Sequence, residues 1–567
     1  MTKYILFLLV FLYASCNLTQ KKAAEVIISM ENRGLIADSG MVVSAHPEAS
    51  KIGVAILRKG GNAIDASIAV SFALAVCYPS AGNIGGGGFA VVRMSSGEIS
   101  TLDYREKAPK SASRDMFLDS KGNVINDLSV YSYKASGVPG SVDGIITLYE
   151  KYGSLPFSEL IQPAINLALK GFKITKNQAE DFNSLQIEFQ KSNPDGCAFL
   201  KSSAWQKGDL LIQEDLAKTL ERIRDFGRAG FYEGETAKMI ENEMLRKNGL
   251  ISIDDLKNYK SLWRKPIQGN YKGYKIISMA PPSSGGIALL QLLNSVENQD
   301  FGSFHSSQHI HLFAEAERRV YADRASYLGD SDFFPVPIIQ LLDKKYNTER
   351  MKTFNLDKAT SSKEIKEGEI PMHESEETTH FSIVDKWKNA VSITTTLNLS
   401  YGSRIVVKGA GFLLNNEMDD FSIKPGYPNA YGLIGGEANA IEPYKRMLSS
   451  MAPTIVLKND SLFFVVGSPG GSTIITSVFQ VITNVTDFQM TALQAVEASR
   501  FHHQWLPDEI FYEKNGLDSL VIIGLTKKGH FLKQRAPIGR VEAILVLPNG
   551  KLEGAADPRG DDNAQGF

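Results

Sequence analysis

The sequence predicts an α/β protein whose sheets lie between helical layers. Three observations carry that expectation. Between Leu155 and Lys352 the apolar residues recur mostly at helical spacing, as in "FSELIQPAINLALKGF" and "IHLFAEAERRVYADRASYL". After Thr378 the texture switches to alternation, in "FSIVD", "AVSITTTL", "APTIVLK" and "LFFVVGS". Strand-like runs also precede the helical stretch, so strands from both sides of the polar segment Asp357–Glu377 are expected to share sheets. At roughly 150 residues per domain, a chain of 567 residues would divide into three or four domains, but this interleaving argues for one intertwined unit.

Taken in order, the chain opens with "MTKYILFLLVFLYASC": one early lysine, an apolar run from Tyr4 to Tyr13 and small residues before Cys16. This has the form of a secretory signal, residues 1–16, and the run is short of the roughly 20 residues that span a bilayer. Small residues directly before a cysteine also match a bacterial lipoprotein processing site. Cys16 is then lipidated and attaches the protein to a membrane, with 17–33 as a tether; an ordinary cleaved signal with an incidental cysteine is the other reading. Either way the protein is expected to be exported, in the periplasm or as an outer-membrane lipoprotein facing it. From Gly34 to Val92 the order is strand ("GMVVSA"), helix ("PEASKIGVAILRKGG"), helix ("NAIDASIAVSFALAVCY") and a glycine-rich loop ("NIGGGGFAVVRM"). Asp65 argues against a membrane span in the second helix. The segment 357–377, "DKATSSKEIKEGEIPMHESEE", is nearly free of large apolar residues and reads as an exposed, mobile connector. Beyond the alternating runs come helix-like "GGSTIITSVFQVITNV" and "ALQAVEASRF".

Composition excludes some classes. With 61 basic and 63 acidic residues and a formal charge of −2, no charge bias points to nucleic acid. Apart from Cys16 only Cys77 and Cys197 remain, which allows one bridge and no disulfide framework. Cys77, inside an apolar run, reads as a buried structural thiol.

The stretch "HESEETTHFSIVDKWKNAVSITTTLN" bears on chemistry. A threonine hydroxyl is a poor nucleophile without a base, and an N-terminal threonine supplies its own in the α-amine, whose pKa of about 7.7 to 8.0 leaves part of it neutral near pH 7. Making that terminus requires a cut just before the threonine, and the acidic connector ending at Glu377 is where a cut is geometrically feasible. "DKWKN" suits a turn between two strands; pairing Asp385 with Asn389 then sets Thr378 opposite Thr396, unless a bulge shifts the register. From spacing alone, these threonines read more readily as ordinary strand residues.

Taken together, the motifs resemble the γ-glutamyltranspeptidase family of N-terminal nucleophile hydrolases, over nearly the whole chain from about Gly34. The residues that carry this are "TTHFSIVDK", "TTTLN", "LLNNEMDDF", "PYKRMLSSMAPTIV", "GSPGGSTIITSVFQVI" and "RFHHQWLPDE", with "GNIGGGGF", "LDYREKAP", "SGVPGSVDG" and "PPSSGGIALLQLLN" upstream. The resemblance implies a four-layer αββα sandwich and a precursor that cleaves itself at Glu377-Thr378 into a large subunit, 34–377, and a small one, 378–567, which stay paired. It implies a γ-glutamyltransferase and hydrolase acting on glutathione and related γ-glutamyl amides, with water, amino acids or peptides as acceptors and no cofactor.

Matched position by position, Thr378 is implied as nucleophile, Thr396 as its support, and Gly470 and Gly471 as the backbone donors to the oxyanion. Arg105 is implied to grip the donor's α-carboxylate with Ser449 and Ser450; Asp420, with Glu417 and Asn398, to receive its α-amine. "KPGYPNAYGLIGGEANAIEP" resembles a lid with Tyr431 at the gate, and could equally be a long surface loop. "NIGGGGF" lacks the Lys-Ser/Thr of a phosphate loop and reads as tight backbone packing. His502 and His503 lack zinc-ligand spacing, so no metal is expected. Two rivals stand beside this reading: a related threonine amidase such as a cephalosporin acylase, and an uncleaved surface binding protein.

Overall fold

Alternation along the strands decides how the molecule is layered. In the computed structural model, which describes residues 32–365, 378–424, 426–430, 432, 433 and 435–567, two seven-stranded sheets stack face to face. The first runs in the order Leu35–Ala37, Leu552–Ala555, Glu542–Val546, Ser461–Gly467, Thr454–Lys458, Tyr274–Ser278, Ile267–Tyr271. The second runs Asn563–Gly566, Met41–Ser44, Thr379–Val384, Ala390–Thr396, Gly87–Arg93, Ile99–Asp103, Leu262–Arg264. Both mix strands from before and after the connector, as expected.

Three apolar clusters define four layers. Met41, Val43, Val91, Ile277, Ile455, Val465 and Ile544 fill the space between the sheets. On the far side of the second sheet, Val42, Val92, Phe381, Ile383, Val391 and Ile393 pack on helices that include Pro47–Arg58, Ala63–Cys77 and Phe157–Lys170. On the far side of the first, Ile276, Val456, Phe464, Val466 and Ala543 pack on Gly285–Val296, Ser307–Tyr327 and Thr473–Thr486. Neighbouring positions such as Ile455 and Val456 therefore serve opposite faces, as a period of two requires. The αββα sandwich expected from the resemblance is observed.

Ala63–Cys77 shows how a nearly all-buried helix is seated. Asn62 caps it, and Asp65 closes the capping box while also accepting from the N–H groups of Ser154 at 2.9 Å and Leu155 at 3.3 Å. No helix among the described residues is long and apolar enough to cross a membrane. Cys77 is buried, Cys197 half-buried, and both are free thiols.

The connector differs from its expectation where it is described. Residues 357–365 are only partly exposed and are anchored: Ser362 N–H donates to Asp508 at 2.8 Å, Ser362 C=O accepts from Trp505 Nε1 at 3.1 Å, Thr360 Oγ1 donates to Glu315 at 2.6 Å, and Ile365 is buried. Polar residues hold this stretch by hydrogen bonds to groups distant in sequence, which composition does not reveal. The rest of the connector with Glu377, the expected leader with Cys16, and Tyr431 lie outside the described residues.

Candidate active site

The turn at Asp385 sets the first part of the site. Asp385 Oδ1 accepts from the N–H groups of Trp387 and Asn389, each at 2.9 Å, and Oδ2 from Ala63 N–H at 2.9 Å, which ties the turn to the buried helix. From there the hairpin pairs without a bulge, Val384 with Ala390 through to Thr379 with Thr395. Continuing that register brings Thr378 opposite Thr396, as the sequence suggested. Thr378 is 4% and Thr396 2% exposed, and both line one pocket. The Thr396 hydroxyl accepts from Asn398 N–H at 2.8 Å.

The glycines of "NIGGGGF" are needed behind this hairpin. A Cβ on Gly86 would lie 2.0 Å from Thr396 O, and one on Gly88 2.4 Å from Thr394 O, so only glycine lets the next strand close there. This is the backbone packing that was expected. Gly470 and Gly471 sit instead in the turn from Ser461–Gly467 into Thr473–Thr486, with φ of 129° and 52°. Gly471 lines the pocket and Gly470 is its buried neighbour.

At the charged end, Arg105 is fully buried and ion-paired with Glu417, with Asp420 at 2.5 Å and with Glu106 at 3.7 Å. Four of its five N–H groups are engaged, by Met447 O, Glu417, Asp420 and Leu448 O, so an incoming carboxylate meets at most one of them without rearrangement. Burial alone would lower the arginine's pKa; the carboxylates of Glu417, Asp420 and Glu106 outweigh it and hold the guanidinium charged. Burial raises Glu417 and Asp420 above the ordinary carboxylate range, against the pull of Arg105, and pushes Glu106 up to about 7. Asn398, held at φ 77°, donates from Nδ2 to Asn416 O at 3.0 Å.

The structure gathers Arg105, Thr378, Thr396, Asn398, Glu417, Asp420, Ser449, Ser450 and Gly471 around one pocket. It adds residues the sequence did not single out. Glu106 joins the carboxylate cluster, and Arg324, from Ser307–Tyr327, lines the pocket and donates to Ser450 Oγ at 3.0 Å and Ser284 Oγ at 2.9 Å. Burial lowers its pKa from the ordinary arginine value. The one available signal is three arginines in a helix that interleaves apolar residues with His309, His311, Glu315, Glu317 and Asp323. The expected lid lies close by: Asn429 Nδ2 donates to Asp420 at 3.0 Å, Ala430 N–H to Asp419 at 2.7 Å, and Leu433 lines the pocket. His502 and His503 are bonded within the fold, to Thr476 at 2.8 Å and to Arg318 at 3.1 Å. A roomier depression of about 520 Å³, lined by Tyr133, Asp195, Glu243 and Arg246 among others, lies elsewhere and holds none of these groups; its arginine is paired to Asp195 at 3.2 Å and Glu243 at 3.3 Å.

The chain is similar to known proteins over nearly its whole length. The family model described as Gamma-glutamyltranspeptidase matches residues 49–567. The chain is 46% identical to the glutathione hydrolase proenzyme of Escherichia coli (strain K12) over 536 residues, 94% of this chain and 92% of that protein. It is 48% identical to the glutathione hydrolase proenzyme of Pseudomonas aeruginosa over 531 residues, 92% of this chain and 94% of that one. A crystal structure of cephalosporin acylase from Bacillus halodurans matches with a TM-score of 0.83 at 26% identity, covering 96% of this chain and 98% of the other. With a matched model over most of its length, and relatives of this identity aligned nearly end to end, the chain belongs to the γ-glutamyltranspeptidase family.

Proposed function

We propose that the chain is a self-cleaving γ-glutamyltransferase and hydrolase that acts on glutathione and related γ-glutamyl amides through an acyl-enzyme on Thr378. One observation carries the reading: a threonine at the head of a strand shares a buried pocket with a second threonine, a glycine turn and a cluster bearing both signs of charge. The names of the two bacterial relatives, both glutathione hydrolase proenzymes, support it.

In the precursor the Thr378 hydroxyl attacks the Glu377 carbonyl, the amide nitrogen departs as the threonine's amine, and water opens the ester. The small subunit 378–567 then begins with a free α-amine that takes the hydroxyl proton when Thr378 attacks a γ-glutamyl carbonyl. Thr396 orients that hydroxyl, and the N–H groups of Gly470 and Gly471 receive the oxyanion. The amine half of the donor leaves, and water or an amino acid or peptide amine takes the γ-glutamyl group. Asp420, Glu417 and Asn398 receive the donor's α-amine; Arg105, Ser449 and Ser450 its α-carboxylate. Export through the N-terminal leader, with Cys16 as an optional lipid anchor, belongs to the same proposal.

The test is denaturing electrophoresis with N-terminal sequencing on protein from fractionated cells. The exported wild type gives a small chain beginning at Thr378 and cleaves a γ-glutamyl anilide, whereas Thr378→Ala gives one intact chain and no turnover. Maturation and turnover by Thr378→Ala sink the proposal, and a wholly cytoplasmic product sinks the export part. The acylase alternative has the fold likeness to the Bacillus halodurans enzyme behind it. It predicts faster cleavage of an amide whose acyl group lacks the α-amine and α-carboxylate.

A further inference from the structure

We infer that Arg324 is a positioning residue for the donor's α-carboxylate, acting by fixing the direction in which Ser450 donates its proton. The inference rests on the γ-glutamyl reading above and goes beyond it in assigning a role to a residue outside the matched motifs.

A serine hydroxyl has one proton to give and lone pairs to accept with, so what it accepts limits where its proton goes. Ser284 donates its proton to Ser449 O at 2.6 Å and accepts from Arg324 Nε at 2.9 Å. Ser450 Oγ accepts from Arg324 Nη2 at 3.0 Å. A guanidinium can only donate, so at Ser450 the lone pair faces the arginine and the O–H is left to donate elsewhere. Ser449 is set the same way, its oxygen accepting from Met451 N–H at 3.1 Å. Both serines line the pocket, and both are therefore arranged to offer protons to an acceptor-only group, which a carboxylate is.

Charge points the same way. Arg105 is matched by Glu417, Asp420 and Glu106 and has four N–H groups engaged. Arg324 is buried against the same pocket, and among the described residues no carboxylate lies within 4.0 Å of it. Asp420 acts on Arg324 electrostatically without forming an ion pair with it, so of the two cations Arg324 is the less closely engaged by carboxylates when an anion enters. Arg324 also ties the Ser449–Ser450 loop to the start of Gly285–Val296 through Ser284, whose N–H donates to Ser449 O at 2.8 Å. The polarity of the Ser450 hydroxyl, and part of the seating of the loop that carries both serines, thus depend on Arg324.

The experiment compares two donors, a γ-glutamyl anilide and its α-carboxamide counterpart, on wild type, Arg324→Gln, Arg324→Lys and the Ser450→Ala pair of each arginine form. Losing a charged partner's hydrogen bond is expected to raise KM for the carboxylate donor about ten- to a hundredfold in Arg324→Gln, with a smaller change in kcat. The preference for carboxylate over carboxamide falls by about the same factor. Arg324→Lys keeps the charge but bridges the serines less well, and loses only about threefold of that preference. In the Ser450→Ala background the Arg324→Gln change shrinks to less than about threefold, because the residue through which it acts is gone. An equal fall on both donors, or full additivity with Ser450→Ala, overturns the inference. If Arg324→Gln does not mature, Arg324→Lys decides alone: an unchanged preference overturns the inference and a lowered one supports it. If mature wild type cleaves neither donor, the γ-glutamyl reading itself has failed.

Discussion

The two ends of the pocket are built on different physics. At the Thr378 end the side chains lining the pocket are hydroxyls, placed by the backbone: a turn fixed by Asp385, an unbroken ladder from Val384 to Thr379, and glycines that allow strands to close. At the Arg105 end, Arg105 and Glu106, Glu417 and Asp420, and Arg324 come from three distant stretches and are held by mutual compensation of charge. The first end is rigid because its positions follow from chain geometry. The second is stable only while its charges stay matched.

Removing charge should therefore do its greatest damage at the second end. Arg105→Gln leaves Glu106 and Glu417 buried, with Asp420 half-buried beside them, without their paired cation, and breaking such a buried pair typically costs about 3–5 kcal/mol. That is a large part of the stability of a typical domain. Thermal unfolding and donor binding should both collapse; an unchanged melting temperature would show that the carboxylates do not depend on Arg105. A backbone change should hurt the first end instead. At Gly470 the φ of 129° and a Cβ placed 2.5 Å from Thr473 Oγ1 make Gly470→Ala displace the turn. If its N–H receives the oxyanion, kcat falls by about 10² to 10³ with little change in KM; an intact kcat, measured on matured protein, removes Gly470 from that role.

The smallest expected effect is a pH dependence. Glu106 is pushed up to about 7 from 4.5, first by burial and against the pull of Arg105. A raised carboxyl pKa means that the folded state keeps its proton longer than the unfolded state. Its contribution is complete below about pH 4.5, declines as pH rises, and is gone above about 7. Glu106→Gln mimics the protonated group at every pH, so its stability should decline less than that of wild type across this window, by at most on the order of 3 kcal/mol. Parallel curves of melting temperature against pH would show that Glu106 does not titrate there.

The same division explains what the sequence disclosed. The layering follows from alternation that any reader of the strands can count, and the facing of Thr378 and Thr396 from a turn length. Both are local. Arg324 was hidden because it sits at helical spacing among core residues, and its meaning depends on Ser284 and Ser450, which lie 40 positions before and 126 after it. Arg105 was legible as a residue, but not its pairing, since Glu417 and Asp420 lie more than 300 positions away. The connector misled for the same reason: Ser362 reads as exposed until Asp508 and Trp505 fold against it.

The mixing of strands in both sheets has a consequence for how the mature protein ages. Four strands of one sheet and three of the other follow Thr378, and neither sheet is complete without the strands that precede it. Before cleavage, folding is a unimolecular search by one chain. After cleavage, the same structure can be rebuilt only by an encounter of two chains, so recovery from denaturation becomes concentration-dependent. The processed protein folds once as a single molecule and comes apart as two, and its working life is then governed by the height of the unfolding barrier rather than by an equilibrium.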